Sequence, residues 1–240
     1  MLEKTEGIVL KTTRFGETSV IAKIFTKKYG LISFMLKGLR SQKAPKTASL
    51  IQPLQMLQLD ISVKDNRNLQ HIKEYRSDYI YRSLHLDFSR QAVAVFCQEV
   101  LLKCLKEHEI NERVYDYFIS FLLELDQTAV RFENQSLFFL LELSGLLGFE
   151  PSLTHISDYA YFNLASGKFE QQLSSTEPCL DTTETMLFKR LLAEYYEKND
   201  TPFTGAERKI LLDKLLLYFR WHVPEFTQPQ SPAILHEVLK

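Results

Sequence analysis

The chain has 240 residues, of which 45% are hydrophobic and 25% are charged, with eight glycines, eight prolines and three cysteines. This composition excludes a disordered chain, a collagen-like fibre and a disulfide scaffold. The longest apolar stretch, 137–149, is interrupted by polar residues and is shorter than the ~20 residues of a membrane span. No apolar export signal follows Met1, and the odd number of cysteines suits a reducing compartment. We therefore expect a cytoplasmic protein without membrane contact.

Charge is unevenly distributed along the chain, although the formal net charge is only −1. Residues 1–80 contain 14 Lys and Arg against 7 Asp and Glu, whereas residues 81–240 contain 15 against 23. Between Lys11 and Lys46 there are nine basic residues and one acid, Glu17. A segregated positive field of this kind attracts polyanions such as nucleic acid. The alternative is a solvated basic face that only keeps the protein soluble.

The first third of the chain shows short apolar bursts and alternation, with turn residues between them. Gly30 suits a tight turn that requires a positive φ. A polar loop is predicted over 39–49. The strands are predicted at 5–13, 18–26, 31–37, 54–63 and 69–75. Five short strands in under 80 residues predict a small closed or partly open barrel.

From about residue 83 the apolar period changes to 3.6, which predicts helices. Asp181 with Glu184 and Thr204 with Glu207 have the spacing of capping boxes, and Gly148 has the position of a helix-ending glycine. The predicted helices cover about 93–104, 114–125, 137–147, 181–196, 206–221 and 232–239, with a small hairpin at 159–169. The expected fold is therefore α+β with two domains: a five-stranded barrel at 1–81, and an all-helical domain at 82–240 with a small insertion at 152–178.

Residue patterns that carry catalysis or bind metal are weak in this sequence. The six histidines are scattered, and Cys97 and Cys104 are two helical turns apart, ~10 Å, which is too far for joint ligation. No phosphate-binding glycine loop and no nucleophile elbow is present. We therefore expect no catalytic residues, no metal ligands and no cofactor.

Basic and aromatic residues are interleaved on the predicted barrel, as they are on surfaces that bind single-stranded nucleic acid. On strand 18–26 the alternation places Lys23, Phe25 and Lys27 on one face. A core position for Phe25 and Phe34 remains an alternative, since most large aromatics are buried. The candidate DNA-binding residues are Lys11, Arg14, Lys23, Phe25, Lys27, Lys28, Lys37, Arg40, Lys43 and Lys46. Little sequence specificity is expected, because nothing indicates contacts to base edges.

The order of several short motifs resembles the bacterial RecO family of recombination mediators. In the first half these motifs are Gly7-Ile8-Val9-Leu10, Gly16-Glu17 before Ser19, Gly30, Lys37-Gly38 with Arg40, and Pro53. In the second half they are residues 140–149 with Pro151 and Leu153, and residues 162–169 around Gly167. The similarity covers nearly the whole chain.

The resemblance implies an N-terminal OB-fold followed by a helical domain, in a cytoplasmic, nucleoid-associated protein. It also implies binding of single- and double-stranded DNA, annealing of complementary strands, and a complex with RecR. That complex helps to load RecA onto DNA covered by single-strand-binding protein, in the RecF repair pathway. The acidic, Phe-terminated tail of single-strand-binding protein is an implied ligand of the helical domain. A candidate basic pocket for it is formed by Arg208, Lys209, Lys214 and Arg220.

In the RecO family, which this chain resembles, some members carry a four-cysteine zinc site directly after the helix that ends near Pro151. Here Ile156 and Tyr159 align with the first cysteine pair, and Cys179 is alone. We therefore expect that aromatic packing replaces the metal in the insertion at 152–178. The aromatic residues of this segment are Tyr159, Tyr161, Phe162 and Phe169.

Three alternative functions remain open from the residues alone. An RNA-binding barrel protein would present the same basic surface. A non-catalytic adaptor could use that surface to bind an acidic protein partner. A hydrolase of an unrecognised class would need a cluster of titratable groups that sequence spacing does not exclude.

Overall fold

The computed structural model divides the chain into two compact units. One unit, called here the N-terminal unit, comprises Met1–Asp87 and Gln98–Gln127, and the other, the C-terminal unit, comprises Phe88–Cys97 and Thr128–Lys240. The structure describes residues 2–41, 46–63, 67–127, 132–198 and 202–238. The candidate residue Lys43 lies outside the described residues, and so does the side chain of Lys46.

The N-terminal unit contains a five-stranded antiparallel sheet in the order β3-β2-β1-β4-β5. Its strands are β1 (Glu3–Phe15), β2 (Ser19–Thr26), β3 (Gly30–Leu36), β4 (Met56–Ser62) and β5 (His71–Ser77). The sheet closes through Gln70, whose amide donates to the carbonyl of Ser33 at 2.9 Å and whose carbonyl accepts from the amide of Met35 at 3.0 Å. This closure completes the five-stranded OB-fold barrel, and the predicted fold class is confirmed. A 3-10 helix at Lys46–Leu50 lies where the sequence predicts only a polar loop.

The barrel interior is filled by alternate residues of the strands, as the period of two requires. Its buried core consists of Val9, Ala22, Ile24, Ile32, Phe34, Leu36, Ile51, Leu57, Leu59 and Ile61. The alternation of β1 is interrupted by a bulge between Val9 and Lys11. The bulged residue, Leu10, is buried, and its carbonyl oxygen accepts a hydrogen bond from Nε2 of Gln98 at 2.5 Å.

Part of the outer face of the sheet is covered by residues 98–127 of the same unit. These belong to the end of α1 (Phe88–Cys104) and to α2 (Glu112–Gln127). Phe25 is completely buried and makes an edge-to-face contact with Tyr115, with 5.4 Å between the ring centroids. Gly30 adopts a φ of +67°, and a Cβ at this position would lie only 2.1 Å from the carbonyl oxygen of Glu109. The glycine predicted for a turn is thus also required by the close approach of this covering segment.

The C-terminal unit is mainly helical, with a small three-stranded sheet in the order β7-β6-β8. Its further elements are α3 (Gln135–Leu146), β6 (Tyr161–Asn163), β7 (Lys168–Glu170), β8 (Cys179–Leu180), α4 (Thr182–Glu197), α5 (Gly205–His222) and α6 (Pro232–Val238). Both predicted capping boxes are present, at Asp181 with Glu184 and at Thr204 with Glu207. Gly148 follows α3 with a φ of +88°, as a helix-ending glycine should. Within the described ranges, no helix combines the length and apolar character that crossing a membrane requires.

The insertion at 152–178 is held by aromatic and polar contacts. Phe162 is buried and packs against Phe169 and Phe188, with centroid distances of 5.0 and 4.7 Å. The ring of Tyr159 stacks on His155 at 4.5 Å. In the part of the chain that the structure describes, no group of three or more His, Cys, Asp or Glu is placed to hold a metal ion. The residues at this position do not fit the zinc site that the resemblance suggests.

Candidate nucleic-acid interface

Four exposed residues lie together at the end of the sheet where β1 turns into β2. We call Arg14, Phe15, Lys37 and Arg40 the hairpin-end surface; all four are exposed, Phe15 by 50%. Arg14 pairs with Val20, which pairs with Leu36, so the residue after Leu36, Lys37, emerges beside the hairpin. None of the three cations forms an ion pair with a described carboxylate. Their charges are therefore available to an external anion.

Backbone hydrogen bonds hold the loop after β3 against this hairpin. The amide of Arg40 donates to the carbonyl of Thr18 at 3.0 Å. Gly38 adopts a φ of +73°, and its carbonyl accepts from both the amide and the hydroxyl of Ser41, at 3.1 and 2.8 Å. The loop that carries Lys37 and Arg40 thus has a defined turn at its start, and its backbone is held against the turn that follows Phe15.

Arg67 belongs to the loop between β4 and β5 and is not among the candidate residues predicted from the sequence. Its carbonyl accepts a hydrogen bond from Nε2 of Gln70 at 2.6 Å, and the backbone of Gln70 is bonded to Ser33 and Met35 of β3. The exposed Arg67 is therefore tied to the half of β3 that leads to Lys37. In the sequence, Arg67 is only an arginine in a turn. Its position near β3 follows from the closure of the barrel through Gln70, which the sequence does not show.

Lys11 and Lys23 are cross-strand partners on the outer face of the sheet. Lys11 is exposed, but Nζ of Lys23 lies 2.7 Å from Oε1 of Glu107, and the hydroxyl of Ser33 donates to the same oxygen at 3.1 Å. Partial burial opposes ionisation of Glu107, but the hydrogen bond and charge of Lys23 and the bond from Ser33 outweigh it and lower the pKa of Glu107. The positive charge of Lys23 is therefore balanced by a carboxylate of the same unit.

The positive charge of Lys27 is balanced in the same way, by a carboxylate of α2. Its Nζ lies 2.8 Å from Oδ1 of Asp116, and the hydrogen bond that it donates to this carboxylate raises the pKa of Lys27. The side chains of Lys23 and Glu107 are each 38% exposed, and those of Lys27 and Asp116 are 35% and 57% exposed. Ion pairs this exposed contribute little to stability, so a competing anion can separate them at little cost.

The expectation of an exposed ring between Lys23 and Lys27 was wrong for Phe25. Lys23 and Phe25 do lie on one face of β2, but that face is covered at Phe25 by Tyr115 of α2. Phe34 is also completely buried, in the barrel core. Lys28 is exposed and follows β2, at the opposite end of that strand from the hairpin-end surface. Phe15, in contrast to Phe25 and Phe34, has an exposed ring that is available for stacking.

The four candidate partner-binding residues of α5 are not brought together in one pocket. Nζ of Lys214 is paired with Glu184 at 2.6 Å, and Nη1 of Arg208 donates to the carbonyl of Phe203 at 2.5 Å. Lys209 and Arg220 are exposed, but they lie three turns apart, about 16 Å along the helix. Lys209 borders a cavity of about 780 Å³ between α5 and α6, which Ala206, Pro232 and Ala233 also line.

Comparison with known proteins assigns both parts of the chain to one family. Residues 1–79 match the family described as recombination protein O N terminal, and residues 85–230 match recombination protein O C terminal. The chain is 33% identical to a protein of Christiangramia forsetii named DNA repair protein RecO, over 99% of both chains. It is 32% identical to DNA repair protein RecO of Flavobacterium johnsoniae, over 98% of both chains, and 31% identical to that of Bacteroides fragilis, over 99% of both. The resemblance found in the sequence is confirmed: the chain belongs to the recombination protein O family, and its relatives support a role in DNA repair.

Proposed function

We propose that this protein is a recombination mediator that binds single- and double-stranded DNA through the hairpin-end surface, without sequence specificity. The observation that carries the proposal is the presence of three exposed cations, Arg14, Lys37 and Arg40, at the same end of the sheet as the exposed Phe15. Cations along the phosphates and a ring beneath a base are the two elements of non-specific single-strand binding. Lys11, Lys28 and Arg67 extend the positive surface on the same unit.

Annealing follows from the same arrangement without a chemical step. Two complementary strands repel each other through their phosphates, and bound cations reduce this repulsion while the base edges stay free to pair. Such a mechanism requires no nucleotide cofactor, no metal and no catalytic residue. We assign DNA binding to the domain at 1–81 and protein partners to the domain at 82–240, a boundary that stays a prediction.

The proposed partners are RecR, single-strand-binding protein and, indirectly, RecA. Among the four candidate residues of α5, Lys209 is best placed for the acidic, Phe-terminated tail of single-strand-binding protein, because it is exposed beside the apolar walls formed by Ala206 and Pro232. Asp213 and Glu237 line the same cavity and restrict where an acidic chain can enter. Fluorescence anisotropy with a labelled tail peptide tests this placement: Lys209→Glu should weaken binding more than Arg220→Glu, and equal effects would contradict it.

The function is tested by annealing complementary oligonucleotides, bare and coated with single-strand-binding protein, in the presence of the purified protein. We expect annealing without nucleotide, weakened by salt, and more efficient on coated strands than the spontaneous reaction. Competition between DNA and RNA strands of equal length separates this function from an RNA-binding one, which would favour RNA. Binding to neither nucleic acid at moderate salt would overturn the proposal in favour of a protein adaptor.

A further inference from the structure

Two carboxylates of the N-terminal unit, Glu107 and Asp116, lie beside Lys23 and Lys27 in positions that an external anion could take. Oε1 of Glu107 receives two donors, Nζ of Lys23 at 2.7 Å and the hydroxyl of Ser33 at 3.1 Å. Oδ1 of Asp116 lies 2.8 Å from Nζ of Lys27. An ammonium group and a hydroxyl that converge on one oxygen are the donors that also bind a phosphate oxygen of a nucleic-acid backbone.

These carboxylates come from the segment that covers the sheet. Glu107 lies between α1 and α2, and Asp116 lies in the first half of α2. The segment is fixed to the sheet at its buried positions, where the amide of His108 donates to the carbonyl of Leu31 at 3.0 Å and Phe25 packs on Tyr115. The two carboxylate side chains themselves are partly exposed, so they can turn away from the lysines while the backbone stays in place.

We propose that Glu107 and Asp116 act as internal competitors of DNA phosphate for Lys23 and Lys27. This inference rests on the proposed DNA binding and specifies how that binding is limited. In the free protein the two pairs are closed, and the strand is held by the exposed cations, including Lys11, which lies directly opposite Lys23. Entry of phosphates at Lys23 and Lys27 displaces the two carboxylates and leaves them next to the polyanion, where they oppose tight binding.

The competition has a direct consequence for a protein that brings strands together. A strand held by fully available Lys23 and Lys27 in addition to Lys11 dissociates slowly, because each phosphate contact adds to the salt-dependent affinity. Pairs that close again when a phosphate leaves make release easier, because the freed lysine is neutralised at once. Two of the candidate DNA-binding residues thus serve as weak, reversible contacts.

The test compares the full-length protein with Glu107→Gln/Asp116→Asn, which keeps the size of both side chains and removes their charge. We expect the double variant to bind single-stranded DNA about five- to tenfold more tightly at moderate salt. The slope of log binding constant against log salt should steepen by ~1.4, since each added phosphate contact on a single strand contributes ~0.7. Dissociation should slow by a similar factor.

The matched control is Glu74→Gln/Glu109→Gln, which changes the net charge of the same unit by the same amount. Both residues are exposed, and neither forms an ion pair with a described lysine or arginine. A general charge effect would give both double variants the same gain, and this would overturn the inference. Lys23→Gln provides a second measurement: it should change binding by less than about twofold in the natural protein, but remove about half of the gain in the Glu107→Gln/Asp116→Asn background.

Failure of the inference and failure of the proposed function give different results. If the natural protein binds DNA and the Glu107→Gln/Asp116→Asn variant has the same salt slope, the inference is wrong and the function stands. If neither protein binds DNA while both show the same thermal unfolding, the proposed function is wrong and the inference fails with it.

Discussion

The amide of Arg40 donates a hydrogen bond to the carbonyl of Thr18, at 3.0 Å, and so joins the loop after β3 to the turn between β1 and β2. This bond brings the loop that carries Lys37 and Arg40 against the turn that follows Arg14 and Phe15. It explains why residues from two places in the sequence, the end of β1 and the loop after β3, form the hairpin-end surface.

Charge reversal of the hairpin-end surface should weaken binding to all DNA sequences equally. For Arg14→Glu/Lys37→Glu/Arg40→Glu we expect the salt slope on single strands to decrease by about 2, because three phosphate contacts of ~0.7 each are lost. Affinity should be measured by anisotropy on oligonucleotides of several compositions. Reversal of Arg113, Lys168 and Arg220, which are also exposed, should leave the slope nearly unchanged. A loss confined to one sequence would contradict non-specific binding.

Two phenylalanines of the barrel should respond oppositely to truncation. Phe15 is 50% exposed, so Phe15→Ala should weaken single-strand binding by about 1–3 kcal/mol, the contribution of one stacked base, with little change in stability. Phe25 is completely buried against Tyr115, so Phe25→Ala should lower the free energy of unfolding by about 3–5 kcal/mol. Denaturant titration and DNA binding of both variants test this. An equal loss of stability in the two variants would show that Phe15 is a structural residue.

Gly167→Ala should destabilise the C-terminal unit for two separable reasons. The φ of +68° is unfavourable for alanine by about 1–2 kcal/mol, and the new Cβ would lie 2.6 Å from the hydroxyl of Tyr218. Tyr218→Phe removes that hydroxyl, together with its hydrogen bond to the carbonyl of Phe149. The double variant should therefore lose less free energy of unfolding than the sum of the losses in the two single variants. Additive free energies of unfolding in this cycle would show that the steric contact is unimportant.

Asp126→Asn should destabilise the N-terminal unit at neutral pH. The carboxylate accepts hydrogen bonds from the amides of Arg82, Ser83 and Leu84 and from the hydroxyl of Tyr79. Burial opposes its ionisation, but these bonds outweigh burial and lower the pKa of Asp126 from 3.8 to about 2. We expect a loss of about 1.5–3 kcal/mol, the range for a hydrogen bond to a charged group.

The pH dependence of that loss has a definite sign. Because the folded-state pKa of Asp126 is depressed, its stabilisation is complete above the ordinary value of 3.8 and disappears as the pH falls towards about 2. The natural protein and the Asp126→Asn variant should therefore approach equal stability in acid. Thermal unfolding of both proteins from pH 7 to pH 2 measures this convergence. A difference that stays constant over the whole range would exclude the carboxylate charge as its cause.

Local signals in the sequence were sufficient for most of the elements. The capping boxes at Asp181 and Thr204 depend only on residues three positions apart, and Gly148 ends α3 through its own backbone conformation. The five strands follow from alternation, with ends that differ by at most two residues from those observed. The 3-10 helix at Lys46–Leu50 was missed because a single turn of helix has too few residues to show a period.

The candidate site was less predictable, because it depends on what covers each face of the sheet. Alternation predicts Lys23 and Lys27 on the face opposite to Ile24, but it gives no information about the segment that packs there. Phe25 is buried by Tyr115, which is 90 positions later in the chain. The partners of the two lysines, Glu107 and Asp116, are equally distant, so the charge count of residues 1–80 overstated the positive charge that is free.

The bulge at Leu10 sets which side chains of the second half of β1 reach solvent. Val9 pairs with Ile24 and Lys11 pairs with Lys23, so one extra residue is accommodated between two consecutive positions of β2. If Leu10 instead occupied a regular position opposite Lys23, each side chain from Lys11 to Phe15 would move by one position and turn towards the other side of the sheet. The bulge therefore keeps Lys11 on the same face as Lys23. Deletion of Leu10 would preserve that facing, because Lys11 would still lie opposite Lys23, whereas deletion of Thr12 would reverse the facing of Arg14 and Phe15 without substituting either of them.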